Sequence, residues 1–146
     1  MTLTKGRSSR RIKPTYDTRF YIDYDWWERQ GRQLRAYMIN HLPPEQRAYF
    51  VEHSEVEETD WVDPETGEVR RVDALQQALQ RAGEALDFIT PQTPLVEAVF
   101  RVFLANGNKP LSITELSERI GRTPRAILRT LSGPRVYRGL RPSLDD

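Results

Sequence analysis

The chain of 146 residues contains no cysteine, which excludes disulfides, a thiolate nucleophile and thiolate-held zinc. Histidine is nearly as scarce. His41 and His53 are the only two, and neither falls in a ligand spacing, so no metal site is expected. No lysine occurs between Lys13 and Lys109, and no acid pair precedes an acid-x-Lys triplet. The acidic stretch Glu57, Glu58, Asp60, Asp63, Glu65 and Glu68 therefore reads as a solvated hairpin rather than a divalent-cation centre. Apolar runs are only a few residues long, far short of a bilayer span. The first residues, MTLTKGRSSRRIKP, are basic but carry no apolar core of a secretory signal, so a cytoplasmic location is expected. A phosphate-cradling loop, a dinucleotide fingerprint and a nucleophile elbow are all missing. No enzymatic activity and no cofactor are expected.

Net charge also looks absent, at +1 from 22 basic and 21 acidic residues, but the average conceals segregation. Lys5, Arg7, Arg10, Arg11 and Lys13 open the chain without an acid among them. Residues 52–87 hold eleven acids against Arg70, Arg71 and Arg81. From Arg119 to Arg141 there are seven arginines and no acid. Genome composition can explain arginine over lysine, yet not the missing acids. Sorted charge of this kind is a mark of nucleic-acid binders.

Pattern and punctuation divide the chain into a basic arm over 1–14, a mixed module over 15–90 and a further domain over 94–146. Tyr16 to Tyr24 alternates, with Phe20, Ile22 and Tyr24 on one face, and predicts a strand. Asp25 with Glu28 resembles a capping box opening one helix that carries Trp27, Leu34, Tyr37, Met38 and Leu42, weakened at Gly31. Pro43-Pro44 ends it and starts a short helix to Glu52. Two strands are expected around Asp63-Pro64-Glu65-Thr66-Gly67. Asp73 caps a helix with Leu75, Ala78, Leu79, Ala82, Leu86 and Ile89 on its stripe. Thr90-Pro91-Gln92-Thr93-Pro94 is the best boundary. The aromatics Tyr16, Phe20, Tyr21, Tyr24, Trp26 and Trp27 suit a core or a subunit contact better than a base-stacking platform, because Asp17, Asp23 and Asp25 among them would repel phosphate.

In the last third a helix over 94–105, with Leu95, Val99, Phe100, Phe103 and Leu104 inward, stops at Asn106-Gly107-Asn108. Leu111-Ser112-Ile113 can pair as a short strand, and Thr114 is the expected cap of a helix to Ile120. Gly121 turns the chain, and Thr123-Pro124 opens a third helix to Leu131, with Ile127 and Leu131 inward. Arg138-Gly139 would turn a small hairpin between Val136-Tyr137 and Leu140-Arg141.

The run Leu111-Ser112-Ile113-Thr114-Glu115-Leu116-Ser117-Glu118-Arg119-Ile120-Gly121-Arg122-Thr123-Pro124-Arg125-Ala126-Ile127, with the basic tail after it, resembles the winged helix-turn-helix superfamily over roughly the last 50 residues. The expected fold is α+β, an N-terminal strand–helix–β-hairpin–helix module read from pattern alone, followed by the C-terminal winged helix-turn-helix that the resemblance implies. The resemblance also implies a third helix entering the major groove and a wing gripping backbone. By position, Arg125 and Arg129 would read base edges, Arg122 and Thr123 would stand at the helix entrance, and Arg135, Arg138 and Arg141 would decorate the wing. Leu128 falls near the exposed side of that helix, where it would touch a thymine methyl or a partner protein. Arg10 and Arg11 of the arm would lie along the duplex. The expected function is non-enzymatic binding of double-stranded DNA, as a transcriptional regulator or the DNA-docking subunit of a larger machine. A homodimer or a protein partner would form through the N-terminal module. The alternative is a winged-helix protein adaptor, with a metal-dependent nuclease behind it.

Overall fold

A computed structural model describes residues 13–52, 58–63, 65–85 and 88–143. Among them the order is β1 (Arg19–Ile22), α1 (Tyr24–Arg29), α2 (Leu34–Ile39), α3 (Pro44–Glu52), β2 (Glu58–Val62), β3 (Val69–Asp73) and α4 (Ala74–Ala82). Then follow α5 (Leu95–Ala105), β4 (Leu111–Ser112), α6 (Ile113–Ile120), α7 (Pro124–Leu131) and β5 (Leu140–Pro142). The protein is α+β. One antiparallel sheet has the order β4-β1-β5, and β2 and β3 form a separate antiparallel hairpin. No described helix is long and apolar enough to cross a membrane. Lys5, Arg7, Arg10, Arg11, His53, Glu57, Pro64 and Leu86, singled out above, lie outside the described residues.

The alternation that predicts β1 holds over its four residues, with Phe20 and Ile22 buried. It fails at Tyr24, which is 38% exposed and opens α1. The cap is Asp23 rather than Asp25, since its carboxylate accepts from the Asp25 amide at 3.0 Å. The single helix expected across Gly31 is two helices, because Gly31 turns left-handed (φ +68°) and α2 starts only at Leu34. Trp27, Met38 and Leu42 are buried all the same. Asp73 ends β3 and caps α4 through the Leu75 amide at 2.7 Å. That helix ends at Ala82, so Ile89 lies beyond it. In the last third the cap of α6 is Ser112, not Thr114. Ser112 and Glu115 form a reciprocal capping box, with bonds of 3.1 and 2.8 Å.

The central strand of the three-stranded sheet comes from the front of the chain. β1 pairs Phe20 with Leu111 on one side and with Pro142 on the other. The expected hairpin within 136–141 is therefore not formed. Residues 138–139 do turn, with the Leu140 amide bonded to the Tyr137 carbonyl at 2.9 Å, but β5 pairs with β1. Asn108 completes the other end of β1. Its side-chain amide accepts from the Ile22 N–H at 2.8 Å and donates to the Ile22 carbonyl at 2.9 Å, as a neighbouring strand would. One apolar cluster joins Phe20, Ile22, Trp27, Leu75 and Leu79 to Phe100, Phe103, Leu116, Ile127 and Leu140.

The turn before β5 is pinned to α1. Trp27 Nε1 donates to the Arg138 carbonyl at 2.9 Å, and the Asp23 amide donates to the Gly139 carbonyl at 2.7 Å. Gly139 has φ +76°, and a Cβ there would stand 2.9 Å from Trp27 Nε1 and 3.0 Å from the Asp23 carbonyl oxygen. Left-handed strain and overpacking add, so Gly139→Ala is expected to lose about 2 kcal/mol of stability. A urea midpoint equal to that of the wild type would show that the turn is not held this tightly.

Candidate nucleic-acid interface and the Glu97 cluster

Helices α6 and α7 are joined by the short turn 121–123. Gly121 ends α6 in the left-handed conformation, and the Ser117 hydroxyl donates to the Arg122 carbonyl at 2.6 Å, which fixes the turn. Thr123 caps α7 through the Ala126 amide at 3.2 Å, and Pro124 takes the first helical position, where a missing N–H costs nothing. Ile127 and Leu131 bury one side of α7 in the common core. The opposite side presents Arg125, Ala126 and Arg129 to solvent. The two arginines stand one turn apart, and neither makes an ion pair or side-chain hydrogen bond among the described residues. Leu128 is half-buried and packs against the core, so it is not on the exposed side expected from its sequence position. The helix is wide enough in its apolar stripe to take Leu128 beside Ile127 and Leu131.

The other arginines of the acid-free block differ sharply in what they already hold. Arg122 Nη2 donates to the Pro91 carbonyl at 3.1 Å and to the Thr93 carbonyl, tying the segment before α5 to the turn before α7. Arg138 Nη1 pairs with Glu97, with its guanidinium 5.4 Å from the centre of the Tyr37 ring. Arg141 Nε lies 3.7 Å from Asp23 Oδ2 and stays partly exposed. Arg135 is exposed and sits over Tyr137, 5.1 Å from its centre. Free charge is thus concentrated at Arg125, Arg129 and Arg135, together with Arg119 at the end of α6.

Glu97, in the first turn of α5, gathers four polar side chains beside the core. Its carboxylate accepts from His41 Nε2, from Tyr37 Oη at 3.0 Å, from Arg101 Nε at 3.0 Å and from Arg138. His41 Nδ1 donates to the Tyr37 carbonyl at 2.9 Å, so both ring nitrogens face oxygens that only accept. The hydrogen bond from His41, reinforced by its charge and by both arginines, outweighs burial and holds the Glu97 carboxyl far below its ordinary range. Burial and the neighbouring Glu97 charge push the Tyr37 phenol up to about 12. Trp27, Tyr37, His41 and Phe100 pack ring on ring around the cluster, with centroids 5.0–5.8 Å apart. Every one of these polar groups already has a protein partner. The network links α2, α5 and the turn before β5, and its chemistry is that of a structural knot.

Glu97 did not stand out in the sequence, and Tyr37 stood out only as part of a helix's apolar stripe. The one available signal was Glu97 with Arg101, a charged i,i+4 pair inside an eleven-residue helix that is otherwise apolar. Asp63, expected on a solvated hairpin, is 7% exposed. It accepts from the Glu65 amide at 2.9 Å and from Lys109 Nζ at 3.2 Å, and these bonds hold its carboxyl below the usual value. Among the described residues no cluster of His, Asp and Glu has the arrangement of a metal centre. Comparison of the chain with protein-family models, with curated proteins and with solved structures finds no match.

Proposed function

We propose that the protein binds double-stranded DNA without catalysing a reaction, with α6 and α7 as its helix-turn-helix and α7 as the reading element. The single observation that carries this reading is the exposed pair Arg125 and Arg129. They stand on a helix rooted in the core by Ile127 and Leu131, inside a stretch of 23 residues without an acid. A guanidinium is a planar fork that bonds two acceptors on guanine or grips a phosphate. In a block where Arg122, Arg138 and Arg141 already hold protein acceptors, two free forks at helical spacing support a role outward. Arg135 and Arg141 supply backbone contacts beside α7, with Thr123 at its entrance. Arg10 and Arg11 of the basic arm add charge along the duplex. Arg122 and Arg138 serve mainly as internal ties, because the carbonyls of Pro91 and Thr93 and the Glu97 carboxylate hold them.

In cellular terms this is a transcriptional regulator or the DNA-docking subunit of an assembly, with a homodimer or partner contact through the N-terminal module. Light scattering reads that contact directly. The binding itself is tested by titrating salt against a random-sequence duplex, single-stranded DNA and RNA. Duplex affinity should fall with log salt at a slope of about −0.9 per phosphate neutralised, and exceed affinity for the other two. A flat salt response with no duplex affinity, and a protein partner co-purifying, would replace DNA binding with an adaptor role.

A further inference from the structure

We propose that the groove beside α4, at the seam between α5 and α6, binds a free apolar α-amino acid. Two adjoining clefts of about 630 and 330 Å³ share Gly83, Glu84, Ala105 and Arg119, so they form one groove with two lobes. The combined size is that of a small-molecule site, and the smaller lobe suits a single side chain.

The chemistry of the lining selects the occupant. The smaller lobe is floored by Phe88, Ile89, Val102 and Ala105, an apolar surface that takes a hydrocarbon or aromatic group. At the seam stand one cation, Arg119, and one anion, Glu84. Both are exposed, and among the described residues neither has an ion-pair or side-chain hydrogen-bond partner. A guanidinium accepts a carboxylate through two parallel bonds, and a carboxylate accepts an ammonium. The larger lobe adds Arg81, Glu65 and the Asp63–Lys109 pair, so the occupant is set by the seam and the smaller lobe. At the seam, one positive group and one negative group beside an apolar floor together match a zwitterion with an apolar side chain. A plain fatty acid would leave Glu84 unserved, and an amine would leave Arg119 unserved.

The site stands independently of DNA reading, since Arg119 belongs to α6 and the reading pair to α7. Isothermal titration of the full chain with L-leucine, L-phenylalanine and L-tryptophan tests it. At least one should bind saturably. For L-phenylalanine, 3-phenylpropionate lacks the ammonium and phenethylamine lacks the carboxylate, and each should bind at least about tenfold more weakly. Arg119→Ala should weaken the amino acid about tenfold while leaving phenethylamine unaffected, and Glu84→Gln should weaken the amino acid likewise while leaving 3-phenylpropionate unaffected. Both substituted residues are exposed, so the melting temperature of the ligand-free variants should stay at the wild-type value and report that folding is intact. No saturable heat from any of the three amino acids overturns the proposal. So does an analogue that binds as tightly as L-phenylalanine, or full affinity in Arg119→Ala. Loss of duplex binding in an α7 variant leaves these outcomes unchanged, so the two readings fail separately.

Discussion

Replacing Glu97 with alanine is expected to destabilise the protein by about 3–5 kcal/mol, a large share of the roughly 5–15 kcal/mol that holds a domain folded. The carboxylate is 14% exposed and His41 is 5% exposed. Removing the acceptor leaves the imidazole of His41, the Tyr37 hydroxyl and the inner side of Arg101 facing one another without a negative charge. Arg138 is more exposed, at 35%, and recovers part of its loss in water. Glu97→Gln separates charge from packing, because it keeps the shape and one accepting oxygen. It should cost less than the alanine variant and still leave the urea midpoint below the wild type.

The same cluster carries a pH signature. In the folded protein the Glu97 carboxyl titrates below its unfolded value, principally through the hydrogen bond from His41. The stabilisation is therefore complete above the unfolded carboxylate pKa, about 4.3, and is lost as pH falls below it toward the folded value. The stability gap between wild type and Glu97→Gln should be wide at about pH 7 and shrink as pH drops below about 4. A gap that does not change over that range would mean that the charge of Glu97 contributes nothing to the knot.

The second large effect is expected at α7. Arg125→Ala with Arg129→Ala should remove sequence preference for the duplex and weaken binding to a selected site by about 100-fold, since each bidentate contact with a base is worth about 1–3 kcal/mol. Both residues are exposed, so folding stability should move by no more than about 0.5 kcal/mol. Competition between a selected site and random duplex separates base reading from backbone grip. If the two arginines read bases, the preference collapses while much of the salt dependence persists. Unchanged preference in the double variant would take the reading role away from α7. Arg138→Ala, by contrast, should show its effect in unfolding, because its partner is Glu97.

The elements legible in sequence are those governed by neighbours along the chain. Thr123-Pro124 marks the start of α7 because a cap and a first-turn proline act within a few residues. Asp73 marks α4, and Gly121 the end of α6, for the same local reason. Periodicity places Ile127 and Leu131 inward, but it cannot say how far the buried stripe extends, and so it leaves Leu128 on the wrong side. Ser112 and Thr114 are both good caps by type. The Glu115 side chain decides for Ser112, because only that choice satisfies two amides at once.

What only the tertiary structure decides depends on contacts across long stretches of chain. β1 sits between β4 and β5 because edge strands of two and three residues need a central partner, and an alternating segment 89 or more residues upstream supplies it. Glu97 could not be read as a hub, since its partners Tyr37, His41 and Arg138 come from three distant places. The same holds for the charges. By itself the sequence determined that this chain has no cysteine chemistry, that local caps and turns punctuate its last third, and that its arginines collect in a run free of acids. Folding alone determined which of those arginines are spent, with Arg122 on backbone carbonyls and Arg138 on Glu97, while Arg125 and Arg129 stay free. The reason is physical: a guanidinium is committed by whatever acceptor the fold brings within about 3 Å, and no sequence spacing records that distance.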